Sequence, residues 1–344
     1  MRIAFVLPAP VRVPQGGAAV VFRHASGLAA LGHDVEVLAP KRDVGVLAIV
    51  RRAAVVARDR MHGVAKRRTA LNGVRVIEPA TMAEVDGSRY DAVIATGWQT
   101  AEWVSRIGGG KRFYFLQGDE RVLDPRAQAT WGFPLRKLSV ARWLAEEVES
   151  RGHTVEGLVP NAIDPGEMYT EVPSEQRGPR VIALYHRHPT KGPETLVASL
   201  DALKRYAPNA SATIVSARPP SHRLPAWVDL RIRPSREELR AHYNAAAVCL
   251  HTSRQEGWGL VPMEAAACGC VVVATASRGP REFLVSGESM IERPVGDAEG
   301  LATAAARLLD DRRERSRLAL AGQEAVGRFT WAASTARLER LLLS

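Results

Sequence analysis

The sequence predicts an α/β protein built from two doubly wound, Rossmann-like halves that face a cleft. Three observations carry this. Short apolar runs alternate with helical stretches along the chain, the pattern of βα units and parallel sheets. The series begins twice, at residues 2–7 and again at 181–185, with a turn-rich join at 161–166 between. The 344 residues exceed one compact core and suit two domains of about 150–170 residues. The boundaries read as 1–160 and 161–330, and a cleft between two such halves is the usual place for a ligand.

In the first half, residues 2–7 form an apolar strand, too short at about six residues for the core of a signal peptide. The loop 8–17 ends in Gly16 and Gly17, and a helix follows over 18–31. Twin glycines before a helix let backbone N–H groups approach a phosphate or a sugar hydroxyl, although turn glycines without a ligand have the same look. Residues 35–39 give a second strand. Residues 41–68 hold nine Lys/Arg against Asp43 and Asp59, interleaved with apolar Val46, Leu47, Ile49, Val50, Val55, Val56, Met61 and Val64. That is a basic amphipathic helix, which either rests on an anionic membrane face or packs on its own domain. Strands follow at 74–77, 92–95, 112–116 and 138–140, then a helix over 141–150. Gln117 and Asp119 come directly after a strand, where such sheets present polar groups to a ligand.

The second half repeats the scheme: strands at 181–185, 213–215, 228–232 and 248–251, and helices to about 206 and over 237–246. The stretch after residue 251 is the most informative. Glu256 and Glu264 have seven residues between them; Gly257 and Gly259 follow the first, and Pro262 precedes the second. Pro262 suits a first helical turn, and Gly269 the position just past the helix end, before the strand 271–274. Glu256 then lies in a strand-end loop and Glu264 in the first helical turn. The N–H groups of Gly259, Leu260 and Val261 point into the same crevice, an anion site suited to phosphate.

Composition limits the partners. No apolar run approaches the roughly 20 residues that span a bilayer. Three cysteines, two of them Cys268 and Cys270, give neither a disulfide framework nor metal-ligand spacing and read as buried apolar groups in a reducing cytosol. The net charge of +10 fits nucleic acid, an anionic membrane face, a phosphorylated substrate or merely a solvated arginine-rich surface. Nucleic acid lacks an aromatic-basic recognition motif here.

These residues resemble the retaining glycosyltransferases of family 4, with GT-B architecture, over nearly the whole chain. The resemblance rests on Gly16-Gly17, Gly32-His33, the run Pro160-Asn161-Ala162-Ile163-Asp164, Lys191-Gly192 and, above all, Glu256 and Glu264 with Gly269. A weaker likeness, through Tyr114, Gln117 and Glu120, is to a branch containing bacterial rhamnosyltransferases.

The resemblance implies an enzyme that moves a sugar from a nucleotide diphosphate donor to a hydroxyl acceptor with retention, in class EC 2.4. It places the donor in the second domain and the acceptor in the first, with a final helix over 331–344 returning to the first. Arg187 and Lys191 would hold the diphosphate, Glu264 the ribose hydroxyls and Glu256 the donor sugar. The loop residues Gly257, Trp258, Gly259, Leu260 and Val261 would line the donor, Trp258 suiting packing better than stacking. Gly16 and Gly17 would approach on closure, and Ser216 and Arg233 would lie near the base. Acceptor-side candidates are Gln117, Asp119 and His24, the last suiting a structural role better.

Two departures stand out. Arg187 and Lys191 are separated by three residues where the family usually has four, so either the loop is shorter or His186 takes part. The family's first-half histidine has no clear counterpart. No Asp-x-Asp pair occurs near either crevice, so no metal and no cofactor is expected. A cytoplasmic location follows, with peripheral attachment to the inner membrane face through 41–68 as an extension. The alternatives are another GT-B enzyme, a phosphorylase or nucleotide-sugar epimerase, or a basic protein that binds nucleic acid or anionic surfaces.

Overall fold

The computed structural model describes residues 1–11, 16–40, 74–79 and 82–344; the basic segment 41–68 lies outside the described residues. The chain divides into two compact units, Met1–Val159 with Trp331–Ser344, and Pro160–Thr330.

The first unit contains β1 (Arg2–Val6), α1 (Gly17–Ala30), β2 (Asp34–Leu38), β3 (Arg75–Ile77), β4 (Ala92–Ala95), α2 (Trp98–Arg106), β5 (Lys111–Leu116), β6 (Arg136–Ser139), α3 (Arg142–Glu149) and β7 (Gly157–Leu158). The strands form one sheet in the order β3-β2-β1-β4-β5-β6-β7, and every neighbouring pair is parallel. A parallel sheet covered on both faces wants apolar residues without alternation. All of β4 and the last four residues of β1 and β5 are accordingly buried.

The second unit contains β8 (Arg180–Tyr185), α4 (Pro193–Tyr206), β9 (Ser211–Ser216), β10 (Val228–Ile232), α5 (Arg236–Ala245), β11 (Val248–His251), α6 (Leu260–Ala267), β12 (Val271–Thr275), β13 (Met290–Arg293), α7 (Ala298–Asp310) and α8 (Arg312–Gly327). Its sheet runs β10-β9-β8-β11-β12-β13, again parallel throughout. In chain order that is 3-2-1-4-5-6, the Rossmann arrangement, with its switch point between β8 and β11. Local chemistry agrees with the elements. Ser235 and Glu238 form a reciprocal capping box on α5, with N···O distances of 3.1 and 2.6 Å. α6 starts at Gly259 and stops at Gly269, whose N–H closes on the Ala266 carbonyl at 2.9 Å.

Two buried arginines hold this unit together without a carboxylate between them. Arg315 caps the end of α7 through the Leu308 and Leu309 carbonyls, both at 2.9 Å. Arg177 donates to the carbonyls of Val172, Ala246 and Cys268.

The last helix, α9 (Trp331–Leu343), belongs to the first unit and packs on α1. His24 of α1 is fully buried against it. Its Nδ1 lies 3.2 Å from the Thr335 hydroxyl, and its ring meets Phe115 and Trp331 edge-on. Burial pushes the His24 pKa down to about 3, so it is a neutral core side chain.

Candidate functional site

Open parallel sheets bind ligands beyond the carboxyl ends of their strands, at the switch point. In the second unit that places the site between the loop after β8 and the loop after β11. The two loops are stitched together. Arg254 N–H donates to the Thr190 carbonyl at 2.7 Å, and the Thr252 hydroxyl donates to the Lys191 and Gly192 carbonyls at 3.2 and 3.1 Å. Gly192 has φ +61°, and a Cβ there would stand 2.1 Å from the Thr252 carbonyl oxygen. Only glycine lets the loops come this close.

This closeness sets Lys191 against Glu256. Lys191 Nζ donates to Glu256 Oε1 at 2.7 Å, and the Ser253 hydroxyl donates to the same oxygen at 2.7 Å. His251 Nε2 lies 3.5 Å from that oxygen and is buried at the end of β11. Burial alone would raise the Glu256 pKa, but Lys191, His251 and the Ser253 hydroxyl outweigh it, and the carboxyl sits below its ordinary value. Glu256 is therefore an anion. His251 goes the other way: burial pulls its pKa down to about 4, so it is neutral near pH 7. The Glu256 backbone is held by its N–H to the Ser277 carbonyl, 2.9 Å.

Glu264 is the fifth residue of α6 and so stands in its second turn, one turn later than the sequence suggested. Its side chain is mostly covered but still 13% exposed, and Arg236 Nη1 donates to its Oε1 at 2.8 Å. Burial raises the Glu264 pKa, and Arg236 offsets part of the rise. Gly259, left-handed at φ +100°, turns the chain into the helix. The N–H groups of Leu260 and Val261 have no acceptor inside α6, because no earlier turn exists. A cation, an anion and a helix N-terminus thus share one crevice. This set suits a ligand carrying both phosphate and hydroxyl groups.

The other sequence-derived residues divide. Arg187 is exposed and its guanidinium donates to the Pro219 carbonyl. His186 is the neighbour of that pair: partial burial, Lys191 and His188 depress its pKa, while Glu256 opposes them. Ser216 ends β9 with its hydroxyl on the Arg218 carbonyl at 2.5 Å, and Arg233 Nε donates to the Ala217 carbonyl at 2.7 Å. The Trp258 side chain is core: only 3% exposed, it packs on Phe283 and Phe329 and donates to Met263 Sδ.

In the first unit Gly17 and Gln117 meet. A Cβ on Gly17 would lie 3.0 Å from Gln117 Oε1, a buried oxygen with no hydrogen-bond partner among the described residues. The other two acceptor-side candidates, Asp119 and His24, are both engaged within the fold. Asp119 is tied to Arg121 by two hydrogen bonds of 2.8 and 2.7 Å, and Arg121 also binds Glu147 at 2.6 Å. His24 is sealed in the core. Glu120 stands out in their place. Its Oε2 accepts from the Tyr114 hydroxyl at 2.7 Å, and burial lifts its pKa to about 7 against the pull of Tyr114 and the Trp98 N–H.

His251, Ser253 and Arg236 are absent from the sequence reading. The first two lie five and three residues before Glu256, at and just past the end of β11, a position that could have singled them out. Arg236, 28 residues from Glu264, had no such signal.

Residues 179–311 match the family model for glycosyl transferases group 1. The chain is 32% identical over 181 residues to the GDP-mannose-dependent alpha-(1-6)-phosphatidylinositol monomannoside mannosyltransferase of Mycolicibacterium smegmatis, covering 48% of this chain and 47% of that one. It is 33% identical over 178 residues to the D-inositol 3-phosphate glycosyltransferase of Corynebacterium efficiens, covering 47% and 42%. The chain thus spans about half the length of the curated relatives it matches. Among solved structures it resembles sucrose-phosphate synthase from Thermosynechococcus elongatus, with TM-score 0.78, 19% identity and coverage of 99% and 98%. It also resembles Anabaena HepE in complex with UDP-glucose, with TM-score 0.77, 17% identity and 99% coverage of both. These likenesses show the fold, which is GT-B.

Proposed function

We propose that the protein is a retaining glycosyltransferase of family 4 that moves a sugar from a nucleotide diphosphate donor to a hydroxyl acceptor. One observation carries the reading: Lys191 pairs with Glu256 at the switch point of a stretch that matches the group 1 glycosyltransferase model, just before α6 with its Glu264. In this reading Lys191 and the first N–H groups of α6 take the diphosphate. Lys191 stabilises the charge that grows on the leaving phosphate, an interaction stronger in the transition state than in the ground state. His186 joins it, in place of Arg187 as the resemblance had it. Glu264 receives the ribose hydroxyls. Glu256, held ionised, receives hydroxyls of the donor sugar. The leaving phosphate helps to deprotonate the acceptor hydroxyl on the same face, which gives retention. The first unit supplies the acceptor surface around Gly16, Gly17 and Gln117.

Lys191 and the first N–H groups of α6 hold the diphosphate, and the reaction runs without a metal ion; transfer that survives EDTA supports this, and abolished transfer sinks it. The enzyme works at the cytoplasmic side, and no helix among the described residues is long and apolar enough to cross a membrane. Donor candidates are the GDP-mannose of the mycobacterial relative's name and the UDP-glucose of the HepE complex. A thermal-shift panel of UDP, GDP, dTDP and ADP selects the base, since a ligand that binds only the native state raises Tm. Transfer is then assayed with the matching sugars, and the anomeric centre of the product is read by NMR. Inverted product overturns retention. Phosphorolysis or epimerisation without transfer would make it a different GT-B enzyme.

A further inference from the structure

We infer that Arg236 is a positioning residue that keeps Glu264 ionised and aimed for the donor's ribose. The inference rests on the reading that Glu264 receives those hydroxyls. Such a role needs a carboxylate anion, because only then do both oxygens act as acceptors. The surroundings of Glu264 work against the anion. Burial is the main opposing influence, among the neutral thiols Cys249 of β11 and Cys268 at the end of α6, while Tyr243 of α5 favours the anion. Glu167, on the loop before β8, adds a like charge. Arg236 is the cation that answers both carboxylates. Nη1 is 2.8 Å from Glu264 Oε1, and Nη2 is 3.5 Å from Glu167 Oε2.

The geometry suits a support. The Arg236 hydrogen bond engages one Glu264 oxygen, through one guanidinium nitrogen. The second oxygen is left for a ligand as far as Arg236 is concerned. Arg236 is the first residue of α5, fixed by the Ser235–Glu238 capping box, so its guanidinium starts from a rigid base. Its side chain is 52% exposed, against 13% for Glu264. The cation stays hydrated at the rim while its field acts on the buried partner. Without it, two carboxylates would face each other with one of them buried, and Glu264 would take up a proton nearer neutral pH.

The test is titration of UDP and of GDP, keeping the tighter, from about pH 5.5 to 8.5 into native protein, Arg236→Gln, Arg236→Lys, the Arg236→Gln/Glu167→Gln pair and Glu264→Gln. Kd is expressed as a ratio to native at each pH, which cancels the ligand's own titration. Arg236→Gln should weaken binding roughly tenfold or more near pH 6 and approach native above about pH 8. Arg236→Lys should stay flat, and loss of Glu167 should restore part of the affinity at low pH. An Arg236→Gln ratio that is equal at every pH, or that stays near one while Glu264→Gln loses binding, overturns the inference alone. Glu264→Gln binding as tightly as native overturns the ribose reading, and the inference with it.

Discussion

Lys191 donates to Glu256 at 2.7 Å, which joins the β8 and β11 loops through side chains 65 residues apart. The pair is part-buried and shares its carboxylate with Ser253, so it is a built contact rather than a chance surface bridge.

The two side chains should therefore behave as one unit. Lys191→Ala is expected to lower kcat for sugar transfer about 10²–10³-fold, the scale for losing one stabilising donor. The Lys191→Ala/Glu256→Gln double mutant should fall short of the product of the single effects, with a coupling of about 0.5–3 kcal/mol. Additive losses in steady-state kinetics would separate the residues.

Gly192→Ala should be costly although it adds one methyl group. Its Cβ would collide with a backbone carbonyl, and φ +61° disfavours any L side chain. A loss of about 2–4 kcal/mol in urea unfolding is expected, together with reduced transfer because Lys191 shifts. A fully stable Gly192→Ala protein would show that the two loops are free to separate.

Glu264→Gln should abolish transfer without lowering stability. The folded protein raises the Glu264 pKa above that of the unfolded chain, so the stability linked to it is present at low pH and is lost as pH rises through the folded value. Removing the charge removes that loss. Equal or higher Tm than native near pH 7, with donor binding gone, is the expected combination. A lower Tm would mean that the Arg236 contact is structural.

The first unit has its own acid–base signature. Glu120 titrates at about 7 in the fold, so the stability it contributes is complete below the ordinary glutamate value and disappears as pH rises through about 7. Native protein should melt at a lower temperature at about pH 8 than at about pH 5.5, and Glu120→Gln should shrink that difference. An unchanged pH slope in Glu120→Gln would assign it to other groups.

The strand-loop-helix unit that carries Glu256 and Glu264 was legible in the sequence because its signals are local. Glu256, Pro262, Glu264 and Gly269 fall within one strand-loop-helix unit, and each has a positional reason. The helix Arg312–Gly327 was far less legible. It buries Arg315 and Gly322 along with Leu318 and Val326, so no apolar stripe marks its inner face. Asp119 misleads for a related reason. A carboxylate after a strand looks functional until Arg121, two residues on, is seen to take both its oxygens. Arg236 and Glu264 meet only through tertiary packing, which spacing along the chain does not reveal.

The assignment of Trp331–Ser344 to the first unit has a consequence for synthesis. The middle unit is one unbroken stretch of chain, whereas the first is assembled from two pieces separated by it. On a ribosome the middle unit can therefore reach its native core while the first still lacks the helix that covers His24 and Gly27. A chain truncated after residue 330 should hold a protease-resistant second unit and a cleavable first unit, and restoring residues 331–344 should protect both.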